Sequence, residues 1–139
     1  MIRDATVEDG DRLRDLQTNL REPNPPLLDY AVEGPPVVLV STASNTPVGY
    51  LVAFHDGETG YVAEITVAPT HRREGRARRL LVAAFDRLRS KGCSEIRLTV
   101  HPENGPARQL YDSLGFEEVG RENEYYEDGS EGIALGREL

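Results

Sequence analysis

Apolar positions change their period several times along this chain, and each change marks an element. Ile2 to Ala5 reads as a short strand. Thr6 and Asp9 then read as an N-cap and a first-turn acid, and Leu13, Leu16 and Leu20 recur at i, i+3 and i+7 on one helical face. Pro23, Pro25 and Pro26 end that helix, and Leu27 to Val32 is expected to add a short helical turn before Gly34-Pro35-Pro36. Val37 to Thr42 is a β-branched apolar run, followed by turn chemistry at Ser44-Asn45-Thr46-Pro47. Val48 to His55 and Tyr61 to Val67 are two further strands, joined by a hairpin at Asp56-Gly57-Glu58-Thr59-Gly60. From Ala77 to Arg89 the period is helical, with Leu80, Leu81, Ala84, Phe85 and Leu88 on the apolar stripe and Lys91-Gly92 at its end. Ile96, Leu98 and Val100 alternate on a strand whose other face carries Arg97, Thr99 and His101. A turn at Pro102 to Pro106 leads into a helix with Ala107, Leu110, Tyr111 and Leu114 on one side, stopped by Gly115. Phe116 to Val119 and Ile133 to Leu135 close the chain as two strands around an acidic loop carrying Tyr125 and Tyr126.

The element order β-α-α-β-β-β-α-β-α-β-β predicts a mixed α/β sheet. The length, 139 residues, suits one domain over 1–139 with a real core. Composition narrows the function classes. No apolar run approaches a membrane span, and Met1-Ile2-Arg3-Asp4 offers no signal-peptide core, so a cytoplasmic protein is expected. The single cysteine, Cys93, excludes an internal disulfide and a multi-cysteine metal site, and no His/Cys/Asp cluster has ligand spacing, so no metal is expected. A formal charge of −8 argues against nucleic acid and anionic membranes as partners. Lys91 is the only lysine; every other basic residue of that class is arginine. Two accounts of this acidic, lysine-poor surface stand side by side: adaptation to high salt, and a GC-rich genome that favours arginine codons.

The local chemistry concentrates at Val67-Ala68-Pro69-Thr70-His71-Arg72-Arg73-Glu74-Gly75-Arg76-Ala77-Arg78. A strand stops at Pro69, a basic loop follows, and a helix opens beside Gly75 and Ala77. Free N–H groups and the positive end of a helix dipole meet there, which makes an anion site. Arginine opposes the dipole at that end, so a purely structural basic cluster would carry a cost. The loop lacks the Lys-Ser/Thr pair of a nucleoside-triphosphate P-loop.

Two motifs carry a family resemblance. Arg72-Arg73-Glu74-Gly75-Arg76-Ala77 fits the Gln/Arg-x-x-Gly-x-Gly/Ala loop of the GNAT superfamily of acetyl-CoA-dependent N-acetyltransferases. Asn104, Ala107, Leu110-Tyr111 and Leu114-Gly115-Phe116 match that family's Asn-x-x-Ala-x-x-Leu-Tyr-x-x-x-Gly-Phe signature. The resemblance covers nearly the whole chain and is weakest from Arg21 to Pro36. It implies the GNAT fold: a mostly antiparallel central sheet of six or seven strands, flanked by about four helices and splayed at the coenzyme site. It implies acetyl-CoA as co-substrate and direct attack by a primary amine in a ternary complex.

The resemblance also implies roles. The pyrophosphate would lie on the N–H groups near Arg73, Gly75, Arg76 and Ala77, with Arg72, Arg73 and Arg78 as cationic partners. The pantetheine arm would pair with the strand edge at Ile65 to Val67. Tyr111 stands where the family places the tyrosine that protonates the departing thiolate. Asn104 matches a residue that contacts the coenzyme arm, and helix capping accounts for it equally well. Glu64 is the candidate base, with its face left open because this strand is usually bulged; His101 is the rival.

The acceptor is the least determined part. Asn123-Glu124-Tyr125-Tyr126 resembles the last hairpin of the ribosomal-protein (RimI-like) N-terminal acetyltransferases, where such tyrosines hold the acceptor peptide, so Tyr125 and Tyr126 are the acceptor-wall candidates. That group tends to carry a glutamate at the position of Thr99, and this chain does not. The acidic loop suits a protein N-terminus or a small cationic amine. A non-catalytic acyl-CoA-binding sensor or interaction module is the reading from a different class. A homodimer is compatible with the sequence, which does not show one.

Overall fold

The computed structural model describes residues 1–139. The elements are β1 (Ile2–Asp4), α1 (Gly10–Gln17), α2 (Pro25–Glu33), β2 (Val37–Ala43), β3 (Thr46–Asp56), β4 (Thr59–Val67), α3 (Arg76–Ser90), β5 (Glu95–Val100), α4 (Gly105–Ser113), β6 (Glu117–Glu122) and β7 (Gly132–Glu138). Single 3-10 turns at Val7–Asp9 and Pro69–His71 precede α1 and α3. No helix is long and apolar enough to cross a membrane.

Two elements differ from the pattern-based expectation. α1 ends at Gln17 rather than running to Leu20. Thr18 Oγ1 and Asn19 Nδ2 donate back to the carbonyls of Asp15 and Leu16 and close the last turn early. Leu20 therefore leaves the helix and lines the site cavity. The prolines do more than end α1. Pro25 and Pro26 occupy the first turn of α2, where a missing N–H costs nothing, and Asn24 Oδ1 caps Leu27 N–H at 3.3 Å.

All seven strands form one sheet in the order β1-β2-β3-β4-β5-β7-β6, antiparallel except where β4 meets β5. Strand alternation gives each face its own core. Val37, Leu39, Leu51 and Ala53 pack with Leu80, Leu81, Ala84 and Leu88 of α3. Val38, Val40, Tyr50 and Val52 pack with Leu13 and Leu16 of α1 and Leu28 and Ala31 of α2.

The β4–β5 junction positions the site. Parallel pairing covers only Thr59–Tyr61 against Glu95–Arg97. A Cβ on Gly60 would stand 2.6 Å from Leu88 Cδ1, so the absence of a side chain lets α3 press on the sheet where the strands are still joined. Beyond Tyr61 and Arg97 no β4–β5 pairing continues, and the strands part toward the N-terminal ends of α3 and α4.

Candidate active site

β4 carries a bulge that decides which face its carboxylate takes. Val52 opposes Glu64, yet the next residue, Ala53, opposes Val62, so Ala63 is an extra residue without a partner. Val62 stays on the α3 face, and Glu64 turns to the α1–α2 face beside Tyr50. Without the bulge Glu64 and Val62 would share one side.

Glu64 is 8% exposed and held by neutral donors only. Gln17 Nε2 donates to both carboxylate oxygens at 3.0 Å, and Tyr50 OH donates to Oε1 at 3.0 Å. Burial raises the Glu64 carboxyl above its ordinary range, and the Gln17 and Tyr50 hydrogen bonds offset part of that rise. Gln17 Nε2 also donates to Asn24 O at 2.9 Å, which ties the carboxylate to the start of α2. Sequence reasoning missed Gln17 and Tyr50. The available signal for Gln17 is an uncharged amide on the apolar face of α1, between Leu13, Leu16 and Leu20.

Across the gap, Tyr111 of α4 lines the same cavity of about 240 Å³ as Glu64. Its ring meets Phe116 edge-on at 5.7 Å, which fixes its direction. Burial, with Tyr126 nearby, pushes its phenol up to about 12, so the hydroxyl keeps its proton throughout the neutral range. His101, at the end of β5, lies in this cavity and is 6% exposed. Its Nδ1 accepts the Glu103 N–H at 3.1 Å, which occupies the lone pair a base would use there. Asn104 borders the cavity too, and its Oδ1 caps α4 by accepting the Ala107 N–H at 3.3 Å.

The basic loop forms a second cavity, of about 290 Å³, reaching from Val67 to Arg78 and bordered by Pro106 and Leu110 of α4. Gly75 stands at the N-cap of α3 with φ +76°, left-handed backbone that favours glycine, and Arg73 shares that region at φ +64°. Unlike α2 and α4, which Asn24 and Asn104 cap, α3 begins with no side-chain cap. Its first N–H groups are thus left to an anion, and the loop fits the phosphate chemistry of a coenzyme. The arginines divide. Arg72 Nε donates to Val67 O at 3.0 Å and braces the strand end. Arg76 Nη1 reaches Ser41 Oγ and Thr42 O at 3.0 and 3.2 Å and its Nε pairs with Glu74 of the loop at 2.8 Å, so its guanidinium is already engaged. Arg78 Nη2 donates to Ser113 Oγ at 2.6 Å on the surface. Arg73 makes no ion pair and is exposed at the cavity's rim. Ile65 leans toward the α3 core, and Ile65 to Val67 carry the β4 edge that faces the gap.

On the acceptor side the loop between β6 and β7 folds back on the loop after α1. Glu127 N–H donates to Glu22 Oε2 at 2.7 Å, Arg21 approaches Asp128 at 3.8 Å, and the Arg21 guanidinium lies 5.8 Å from the Tyr126 ring centre. Tyr125 and Tyr126 meet edge-on at 4.9 Å and wall this side of the cavity. Thr99 sits among them, opposite Ala134 of β7.

A sheet parted at one parallel junction, with an uncapped helix start on one side of the gap and a buried carboxylate and tyrosine beyond it, is the geometry of the GNAT fold class. The comparisons place the chain within that class: it belongs to the acetyltransferase (GNAT) family, whose profile matches residues 6–116. It is 33% identical over 91 residues to N-alpha-acetyltransferase 30 of Saccharomyces cerevisiae, covering 62% of this chain and 52% of that protein. It is 37% identical over 68 residues to the ribosomal protein bS18-alanine N-acetyltransferase of Haemophilus ducreyi, covering 48% and 47%. The chain thus spans about half the length of the curated relatives it matches. A crystal structure of the NatC complex bound to Gag peptide and CoA superposes with a TM-score of 0.88 at 25% identity, covering 100% of this chain and 98% of that one. The loop with Tyr125 and Tyr126 lies outside the family match.

Proposed function

We propose that this protein transfers the acetyl group of acetyl-CoA to a primary amine, with a protein amino terminus as the favoured acceptor and a small cationic amine as the second. The observation that carries the reading is the placement of Glu64 and Tyr111 on one cavity, with the cavity of the basic loop bordered by further residues of the same two elements, Val67 of β4 and Leu110 of α4. Bound acetyl-CoA supplies an activated acetyl thioester. The free N–H groups at the start of α3, with Arg73, hold the phosphates. Glu64 takes the proton that the acceptor nitrogen must lose, directly or through one water, and its raised range suits it to that task. Tyr111 holds a proton where the departing sulfur needs one.

The peptide preference is supported by the wall of Tyr125 and Tyr126 and by the substrates named for the relatives. Glu22 and Glu64 make the acceptor side acidic, which suits any cationic amine. The loss of the acid at Thr99 keeps a second reading, a coenzyme-binding module without turnover. A thiol-release assay with acetyl-CoA across amines and N-terminal peptides separates the two. Turnover with any amine supports transfer, whereas acetyl-CoA binding without turnover supports the module. A cytosolic location follows from the acceptor proposed.

A further inference from the structure

We propose that His101 selects acceptors carrying a carbonyl oxygen beside the amine, by donating its Nε2 hydrogen to that oxygen. This rests on the acetyl-transfer reading above and adds to it a choice of substrate. Ile96, Leu98 and Val100 of β5 pack in the α3-side core, so Thr99 and His101 belong to the face that carries Glu64 and the tyrosine wall. The Glu103 N–H occupies Nδ1, which assigns the ring proton to Nε2. Nε2 is the one buried side-chain nitrogen or oxygen in the protein that has no hydrogen-bond partner. The other buried polar groups of this region, Gln17 and Glu64, are partnered. A buried donor left unpaired is costly, and such exceptions are rare.

The imidazole packs against part of the acceptor wall. The Tyr126 ring lies 5.0 Å from the His101 ring, tilted by 44°. An aromatic face is at most a weak acceptor, and a carbonyl oxygen is a much better one. A peptide amino terminus carries a carbonyl two bonds of backbone away from its nitrogen, so an acceptor in the cavity that Glu64 and His101 both line offers each of them a matching group. A polyamine offers only donors and would leave Nε2–H unpaired. Tyr126 belongs to the loop joined to Arg21 and Glu22, so it can yield without disturbing the sheet.

The test compares a short N-terminal peptide with an alkylamine and spermidine, using the wild type, His101→Phe and His101→Gln. The wild type is expected to favour the peptide in kcat/KM. His101→Phe keeps the packing and lacks the donor; it should raise the peptide KM about tenfold with kcat, the acetyl-CoA KM and alkylamine turnover unchanged. His101→Gln should restore most of the loss. Titration calorimetry of the peptide on the CoA-loaded protein reads the same loss without turnover, and melting temperatures check that both variants fold. Equal effects of His101→Phe on peptide and alkylamine, or no effect on peptide binding, would overturn the proposal. If no acceptor turns over while calorimetry still shows the peptide loss, the acetyl-transfer reading fails and the role of His101 stands.

Discussion

Two regions of this protein each hide a carboxylate from solvent: Asp9 at the entry to α1 and Glu64 at the bulge of β4 are both 8% exposed, with Glu64 the deeper of the two. Their surroundings differ in charge. Arg3 grips Asp9 with two bonds of 2.8 and 2.9 Å, and the Thr6 N–H adds a third at 2.8 Å. The guanidinium beside it holds the Asp9 carboxyl below its ordinary range. Glu64 has only the amide of Gln17 and the phenol of Tyr50, and burial raises it. Burial alone therefore does not mark a catalytic group. The charge of the partners decides whether a carboxylate is locked as an anion that ties β1 to α1, or poised to exchange a proton.

Swapping the chemistry at these two positions gives the largest effects. Glu64→Gln keeps the shape and removes the base; kcat is expected to fall by about 10² to 10³ while acetyl-CoA binding holds and the melting temperature does not fall. Asp9→Ala should do the opposite, lowering unfolding free energy by about 2 kcal/mol in urea titrations and leaving kcat in place. If Asp9→Ala were the variant that lost turnover, the contrast would collapse. Tyr111→Phe comes next, with an expected loss in kcat of about tenfold or more and an unchanged acceptor KM, since only a proton donor is removed.

The pH dependence sharpens the contrast through its sign. The Asp9 contribution to stability is complete above its unfolded pKa and is lost as pH falls through its lower folded value. Glu64 runs the other way. Its folded carboxyl binds the proton more tightly than the unfolded one, so stability declines as pH rises from the unfolded pKa through the raised folded value. Thermal melts of wild type against Asp9→Asn and Glu64→Gln across the acid range should show differences of opposite slope. The smallest effect belongs to Gln17→Met. Losing a donor that favours the carboxylate moves the Glu64 limb of the kcat/KM profile to higher pH, and an unmoved limb would remove Gln17 from the positioning of Glu64.

The hydrophobic pattern made most of this fold legible before any coordinates. The meander Val37–Val67, the helix expected over Ala77–Arg89 and the strand Ile96–Val100 all stand where the spacing puts them, because each buries regular stripes, the meander one on each face of the sheet. The basic loop also lies where the sequence puts it, between β4 and the start of α3. What escaped was set by distance in sequence. The face of Glu64 depends on one unpaired residue, Ala63, which alternation cannot locate. The partnership of Gln17 with Glu64 joins residues 47 apart. The end of α1 turned on side chains that bond backward, at Thr18 and Asn19, and the Leu20 spacing concealed it. Of the arginines expected as cationic partners, Arg72 donates to Val67 O and Arg78 to Ser113 Oγ, the second a contact across 35 residues that exists only once α3 and α4 have packed.

The claim that two carboxylates equally hidden from solvent have opposite proton affinities can be read without any assay of turnover. Carbon-13 NMR titration of the Asp9 and Glu64 carboxyl groups in the intact protein measures both at once. The account predicts that Asp9 titrates below the ordinary carboxylate range and Glu64 above it. A Glu64 midpoint at or below that of Asp9 would contradict it, and with it the case for Glu64 as the base.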